Sequence, residues 1–179
     1  MASPNLFQQL AVSLLPLLLA LTVPLTGRAR VALALGDTTG KQYGRTSLNP
    51  LSHADPIGTL VVPGAMIMLG NLAGGGAGLL IGWAKALPIS YRNFRDPRSA
   101  AIKLASSALA AKFLLALGWA FVLKATYGAT EGVLLGVSLM ALQGIAISLS
   151  FFLLNLLPLP PFALGTMLLV TLPPKQAQM

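Results

Sequence analysis

Three stretches of this chain carry no charged residue at all: Met1 to Gly27, Pro56 to Ala84 and Gly132 to Leu157. Each is as long as or longer than the ~20 apolar residues a helix needs to cross a bilayer, which makes lipid, not water, the solvent to reason from. Composition agrees, with 9% charged and 55% hydrophobic residues and a mean hydropathy of +0.78. A soluble domain usually carries about a quarter charged residues. The expected fold class is an all-α integral membrane protein, a single transmembrane domain over 1–179. It has about four hydrophobic helices, near 6–25, 57–84, 102–123 and 132–157, joined by short polar loops, and a short apolar tail at 165–172.

The first segment lacks a basic leader and a small-x-small cleavage site, so a retained helix is expected over a cleaved signal peptide. Pro16 and Pro24 are expected to kink or end it, each removing a backbone donor. The second segment holds Gly70, Gly74, Gly78 and Gly82, four residues apart. If it is one helix, they form a side-chain-free face that another helix can approach closely. Alternatively the Gly74-Gly75-Gly76 run breaks the helix and leaves a bent or re-entrant segment, each glycine costing roughly 1 kcal/mol against alanine.

Between the apolar segments lie two basic connections. One runs from Arg28 to Asp55 and holds Arg28, Arg30, Lys41 and Arg45; the other runs from Lys85 to Lys103 and holds Arg92, Arg95 and Arg98. Four full crossings would put them on opposite sides of the membrane, and the positive-inside rule would then barely discriminate; a re-entrant second segment would put both on one side, favouring the cytoplasm. The formal net charge of +8 does not imply nucleic acid, because the cations flank apolar segments without interleaved aromatics. Anionic headgroups are the expected counterpart. With no cysteine, disulfides, thiolate metal sites and cysteine nucleophiles are excluded.

Several blocks, taken in order, resemble the site-2 protease family of intramembrane zinc metalloproteases. They are Leu35-Gly36-Asp37, then Gly44-Arg45-Thr46-Ser47-Leu48-Asn49-Pro50-Leu51, His53 and Asp55-Pro56-Ile57-Gly58-Thr59. Gly82-Trp83-Ala84-Lys85, Arg92-Asn93-Phe94-Arg95 and Asn155-Leu156-Leu157-Pro158-Leu159-Pro160-Pro161 follow. The resemblance covers most of the chain, from about Pro24 to Pro173. It implies a site-2-protease-like core, a bacterial inner (cytoplasmic) membrane, and a zinc held by the histidines of H-E-x-x-H with a distant aspartate, the glutamate activating water. Counted back from Leu35-Gly36-Asp37, those histidine, glutamate and histidine positions fall on Pro24, Leu25 and Arg28; counted forward from Asn155, the aspartate falls on Ala163. A lysine, Lys112, stands where the family's third helix carries asparagine. The expectation is therefore a pseudoenzyme with no catalytic residue, metal or cofactor. Its family-type loop positions Asn49, Pro50, His53, Asp55, Asn155, Pro158, Pro160 and Pro161 would be kept for shape.

His53 with Asp55 supplies at most two ligands, below the three of a catalytic zinc site. A Ser106 or Ser107 dyad with Lys112 is conceivable at helical spacing, against a snorkelling or paired lysine. Lys112 near mid-bilayer costs about 2.5–3.5 kcal/mol on insertion scales. Its remedies are backbone carbonyls, the vacated metal position, or an acid on another subunit. The expected role is a structural or accessory subunit, or a client-binding scaffold, in a membrane complex, with lipid and other membrane subunits as partners and no nucleic acid. Lys112 and the Gly70 to Gly82 face are the candidate interaction surfaces. The alternative is a peptidase of this family with altered or partner-supplied catalytic residues. A transporter reading has only Lys112 and amides such as Gln143 to line a pore.

Overall fold

The computed structural model describes residues 6–73, 80–159 and 162–171, and among them there is no named strand. Three helices are long and apolar enough to cross a membrane: α1 (Leu6–Ala34), α5 (Pro97–Ala125) and α6 (Gly132–Asn155). Between α1 and α5 come two single turns, α2 (Thr39–Gln42) and α3 (Pro50–His53). A π-helical turn (Pro56–Val61) then runs directly into α4 (Val62–Leu72). A last short helix, α7 (Ala163–Thr171), packs along α5.

α1 departs from expectation by running through both prolines and on to Ala34, so Arg28 and Arg30 are helical instead of starting a polar connection. Each proline removes one backbone bond without ending the helix, because α5 and α6 flank it and the following residues remain apolar. Gly36, at φ +104°, lets the chain leave the helix in the left-handed conformation.

The second apolar segment does not cross as one helix. α4 stops at Leu72, and residues 80–90 come back extended, with Ala84 bridged antiparallel to Ala54. The helical glycine face is thereby corrected: Gly70 lies inside α4, Gly82 lies in the extended return, and Gly74 and Gly78 fall outside the described residues. Gly82 is needed for another reason. A Cβ there would sit 2.7 Å from the Gly58 carbonyl oxygen, and a Cβ at Gly58 would overlap the Trp83 indole. Glycine serves here for close backbone packing of the return against the π turn.

The bundle is α1 against α5 and α6. Buried positions on α5 are Ala100, Ala101, Leu104, Ala105, Ala108, Ala116 and Trp119, alanines except for Leu104 and for Trp119, which covers Gly144 of α6. α1 presents Pro16, Ala20, Pro24 and Ala32, all buried and one turn apart or a multiple of it. Leu17, Ala20, Ile67, Leu80, Ile147 and Phe151 close one core cluster; Ala32, Phe94, Ala100 and Leu104 close a second, where the end of α1 meets the start of α5. α1 and α5 are therefore antiparallel, and both basic connections sit at one end of the bundle. Gly128, at φ +86°, turns the chain from α5 into α6 at the other end, where Ser138 Oγ donates to Thr126 Oγ1 at 2.7 Å.

Because the chain has no cysteine, single-cysteine variants report topology cleanly. Lys41→Cys and Arg95→Cys are expected to react with an impermeant maleimide from the same side of the membrane, and Tyr127→Cys from the other. Labelling of the first two from opposite sides would refute the arrangement. Gly144→Ala is expected to cost about 1–3 kcal/mol by forcing Trp119 off its seat, read as a lower detergent-unfolding midpoint. Gly136→Ala, where an added methyl would meet nothing within 4 Å, is expected to be neutral or stabilising by up to about 1 kcal/mol.

Candidate functional site

Asp37 organises the basic end of the bundle. It follows the glycine that ends α1 and is fully buried. Oδ1 accepts from Thr39 N at 3.1 Å, Thr39 Oγ1 at 2.5 Å and Asn93 Nδ2 at 2.9 Å, and Oδ2 accepts from Ser90 N at 3.0 Å. Residues 90–93 belong to the second basic connection, so one carboxylate ties the two connections together. Burial by itself would raise the Asp37 pKa; the bonds from the Thr39 and Asn93 side chains and from the Ser90 and Thr39 amides outweigh it and hold the group below the ordinary carboxylate value.

A second set of contacts builds a tight loop beside α1. Asn49 Oδ1 accepts from Leu51 N at 3.1 Å and caps α3, with Pro50 at its first position. His53, 1% exposed, places Nε2 2.8 Å from the Ser47 carbonyl and 3.2 Å from Thr26 Oγ1 of α1. Thr26 Oγ1 itself donates to Ser47 O at 2.8 Å. An Nε2–H tautomer fits these partners and leaves Nδ1 buried without a hydrogen bond. Asp55 Oδ1 accepts from Ile57 N and Gly58 N at 3.1 and 2.8 Å, capping the π turn. Thr59 Oγ1 donates to Trp83 O at 2.9 Å, while Lys85 N donates to His53 O at 2.9 Å. Arg45 reaches the Ser52 carbonyl through a guanidinium N–H.

Asn49, Pro50, His53 and Asp55 thus build one loop beside α1, in which His53 Nε2 and Asp55 Oδ1 are engaged in local structure while His53 Nδ1 is not. No group of three His, Cys, Asp or Glu side chains capable of holding a metal occurs among the described residues. Asp96 caps α5 through Arg98 N and Ser99 N at 3.1 and 3.3 Å, and Glu131 is exposed before α6. Asn155 donates from Nδ2 to the Phe151 carbonyl of its own helix at 2.8 Å. Pro158 follows α6 in a bend; Pro160 and Pro161 lie outside the described residues, and Ala163 opens α7, buried.

Pro24, Leu25 and Arg28 all lie within α1. Pro24 and Arg28 are one turn apart on its inward stripe, between Ala20 and Ala32. Lys112 occupies the matching place on α5, one turn from both Ala108 and Ala116. The helices touch where a Cβ on Gly27 would lie 3.9 Å from Ala111 Cβ, so Arg28 and Lys112 each adjoin that contact in sequence. Beside them a cavity of about 400 Å³ opens on the α1–α5 seam, lined by Gly27, Ala111, Thr26, Arg30 and apolar side chains.

Sequence reasoning misses Thr26 and Asp37 as site-builders. Asp37-Thr38-Thr39 carries a local signal, an aspartate with a hydroxyl two residues on, whereas the reach of Thr26 to His53 depends on tertiary packing.

The chain is 34% identical over 149 residues to "Putative zinc metalloprotease YwhC" of Bacillus subtilis (strain 168), a match covering 81% of this chain and 62% of that protein. It therefore spans less than two thirds of that relative's length. No family profile and no solved structure matches it.

Asp37→Ala strands the Ser90 and Asn93 donors and is expected to cost about 1–3 kcal/mol, read by denaturant titration in detergent. The stability due to the wild-type carboxylate is expected to be complete above the unfolded pKa of about 3.9 and to vanish as pH falls through the lower folded value. That pH-dependent component should be absent from Asp37→Ala.

Proposed function

We propose that this chain is a site-2-protease-like protein of a bacterial inner membrane, one transmembrane domain that uses the family scaffold for binding and not for hydrolysis. On this reading it is a structural or accessory subunit, or a holder of membrane-protein clients. The observation that carries it is the pair of inward positions on α1 one turn apart, where histidines of H-E-x-x-H would stand. They hold Pro24 and Arg28, with Leu25 at the glutamate position. A proline has no donor atom to offer a metal, a leucine cannot take a proton from water, and a guanidinium repels a dication. Lys112, where the family's third helix carries asparagine, adds a second positive charge on α5. Ala163, at the aspartate position, offers no ligand either. The side chains present do not fit a catalytic zinc, and no catalytic step is assigned to one.

The second reading keeps hydrolysis: a peptidase of the same family with altered chemistry, or with ligands supplied by a partner. The similarity to a protein named as a zinc metalloprotease favours it.

Metal content of the purified full chain, measured with cleavage of a transmembrane peptide, separates the two. The binding reading expects zinc well below one per chain, removable by mild chelation, and no zinc-dependent cleavage. Stoichiometric zinc that supports cleavage and is released only on denaturation would establish the second reading.

A further inference from the structure

The cavity on the α1–α5 seam carries its charge at one end only. Its lining follows one face of α1 from Val23 through Thr26 and Gly27 to Arg30, opposite Ala111, Leu114 and Leu115 of α5, with Leu48 of the loop beside them. Val23 and Arg30 are separated by about 10 Å along α1 at 1.5 Å per residue. Because α1 and α5 are antiparallel and Gly27 stands against Ala111, Leu114 and Leu115 fall toward the Val23 end. Leu115 also packs on the core cluster of Leu17, Ile147 and Phe151, so the core backs that end.

Of the side chains that line the cavity, Thr26 and Arg30 are the polar ones. Thr26 Oγ1 is committed to Ser47 O and lies 3.2 Å from His53 Nε2. Arg30 gives its Nε–H to the Thr46 carbonyl at 3.2 Å, and among the described residues its two terminal nitrogens have no partner. The bond to Thr46 holds the guanidinium against the loop and leaves free the fork of N–H groups that matches phosphate oxygens. Leu48, 55% exposed in an otherwise polar loop, adds an apolar wall.

An occupant has to match both an apolar trough and a free cation at its end. The volume of about 400 Å³ is in the range of ligand sites. A water-soluble anion would leave the apolar walls uncovered, and an alkyl chain alone would leave the guanidinium unpaired; a phosphate that carries an acyl chain meets both. The surroundings choose its net charge. Arg30 reaches the loop at the end of the bundle that holds Arg45, Lys85, Arg92 and Arg95, where a cationic headgroup is repelled and an anionic one attracted.

We propose that this cavity binds one anionic glycerophospholipid, its phosphate taken by Arg30 and one acyl chain laid along Val23, Gly27, Ala111 and Leu115. The site stands whether or not the chain hydrolyses peptides.

The test uses the full chain in detergent, with bound lipids counted by native mass spectrometry. The first copy of dioleoylphosphatidylglycerol is expected to bind at least about tenfold more tightly than dioleoylphosphatidylcholine. Arg30→Gln should abolish that preference. Leu114→Trp, which fills the trough from an exposed position, should weaken phosphatidylglycerol about tenfold. Arg95→Gln, which removes a charge from the same end outside the cavity, should change neither, and circular dichroism checks that every variant is folded. Equal binding of the two lipids overturns the site. So does a preference that Arg30→Gln and Arg95→Gln lower equally, which is diffuse attraction to the basic end. Glycerol 3-phosphate binding as tightly as the lipid removes the acyl chain from the site and overturns it too. Without any variant, phosphatidylglycerol bearing a diazirine on one acyl chain is expected to label the wild-type chain at Val23, Leu114 or Leu115; labelling confined to other helices refutes the proposal.

Discussion

A single carboxylate holds the two basic connections to each other, and the arrangement of the bundle depends on it. Asp37 follows the left-handed glycine at the end of α1 and takes hydrogen bonds from Ser90 and Asn93, just ahead of α5. That tether brings the end of α1 against the start of α5, where Ala32, Phe94, Ala100 and Leu104 close over it. The antiparallel register that results sets Gly27 against Ala111, with Thr26 and Arg28 on either side of that contact. With little hydrophobic drive between helices in lipid, close packing of small residues and a few fixed polar ties do the work of choosing a register.

Much of this is legible in the chain. Long apolar stretches mark most of α1, α5 and α6 in spite of the cations within α1 and α5, because a membrane helix must be long and apolar whatever it packs against. The π-turn region fails as a span for a reason also visible in the residues: a glycine run follows α4, and backbone without side chains loses most on becoming helical. What cannot be read is where α1 ends. Arg28 and Arg30 look like loop residues by charge, yet Arg28 sits in phase with Pro24 and Ala32, so tertiary packing decides and charge does not. Of the Gly70–Gly82 series, Gly70 is helical and Gly82 is not, so the spacing does not mark one helix over its whole length. Gly82 is required by its approach to Gly58, a contact between segments that no local pattern encodes.

The candidate site shows the same division. Asn49, Pro50 and Asp55 act within a few residues of themselves, as caps, and such roles follow from residue type and spacing. His53 does not: its partners Thr26 and Ser47 lie on different segments, and only the folded chain shows that its ring closes the loop against α1. The similarity to a protein named as a zinc metalloprotease is a likeness of sequence over part of that protein, whereas the chemistry of a metal centre is decided by donor atoms at a few positions.

The extended return at 80–90 has a consequence for the lipid around it. Its amides at Ile81, Trp83 and Lys85 turn toward Met66, Gly58 and His53. An extended chain points alternate amides the opposite way, and hydrocarbon cannot satisfy them. The return can therefore lie outside regular secondary structure only because α4, the π turn and the His53 loop take up amides that lipid would leave bare.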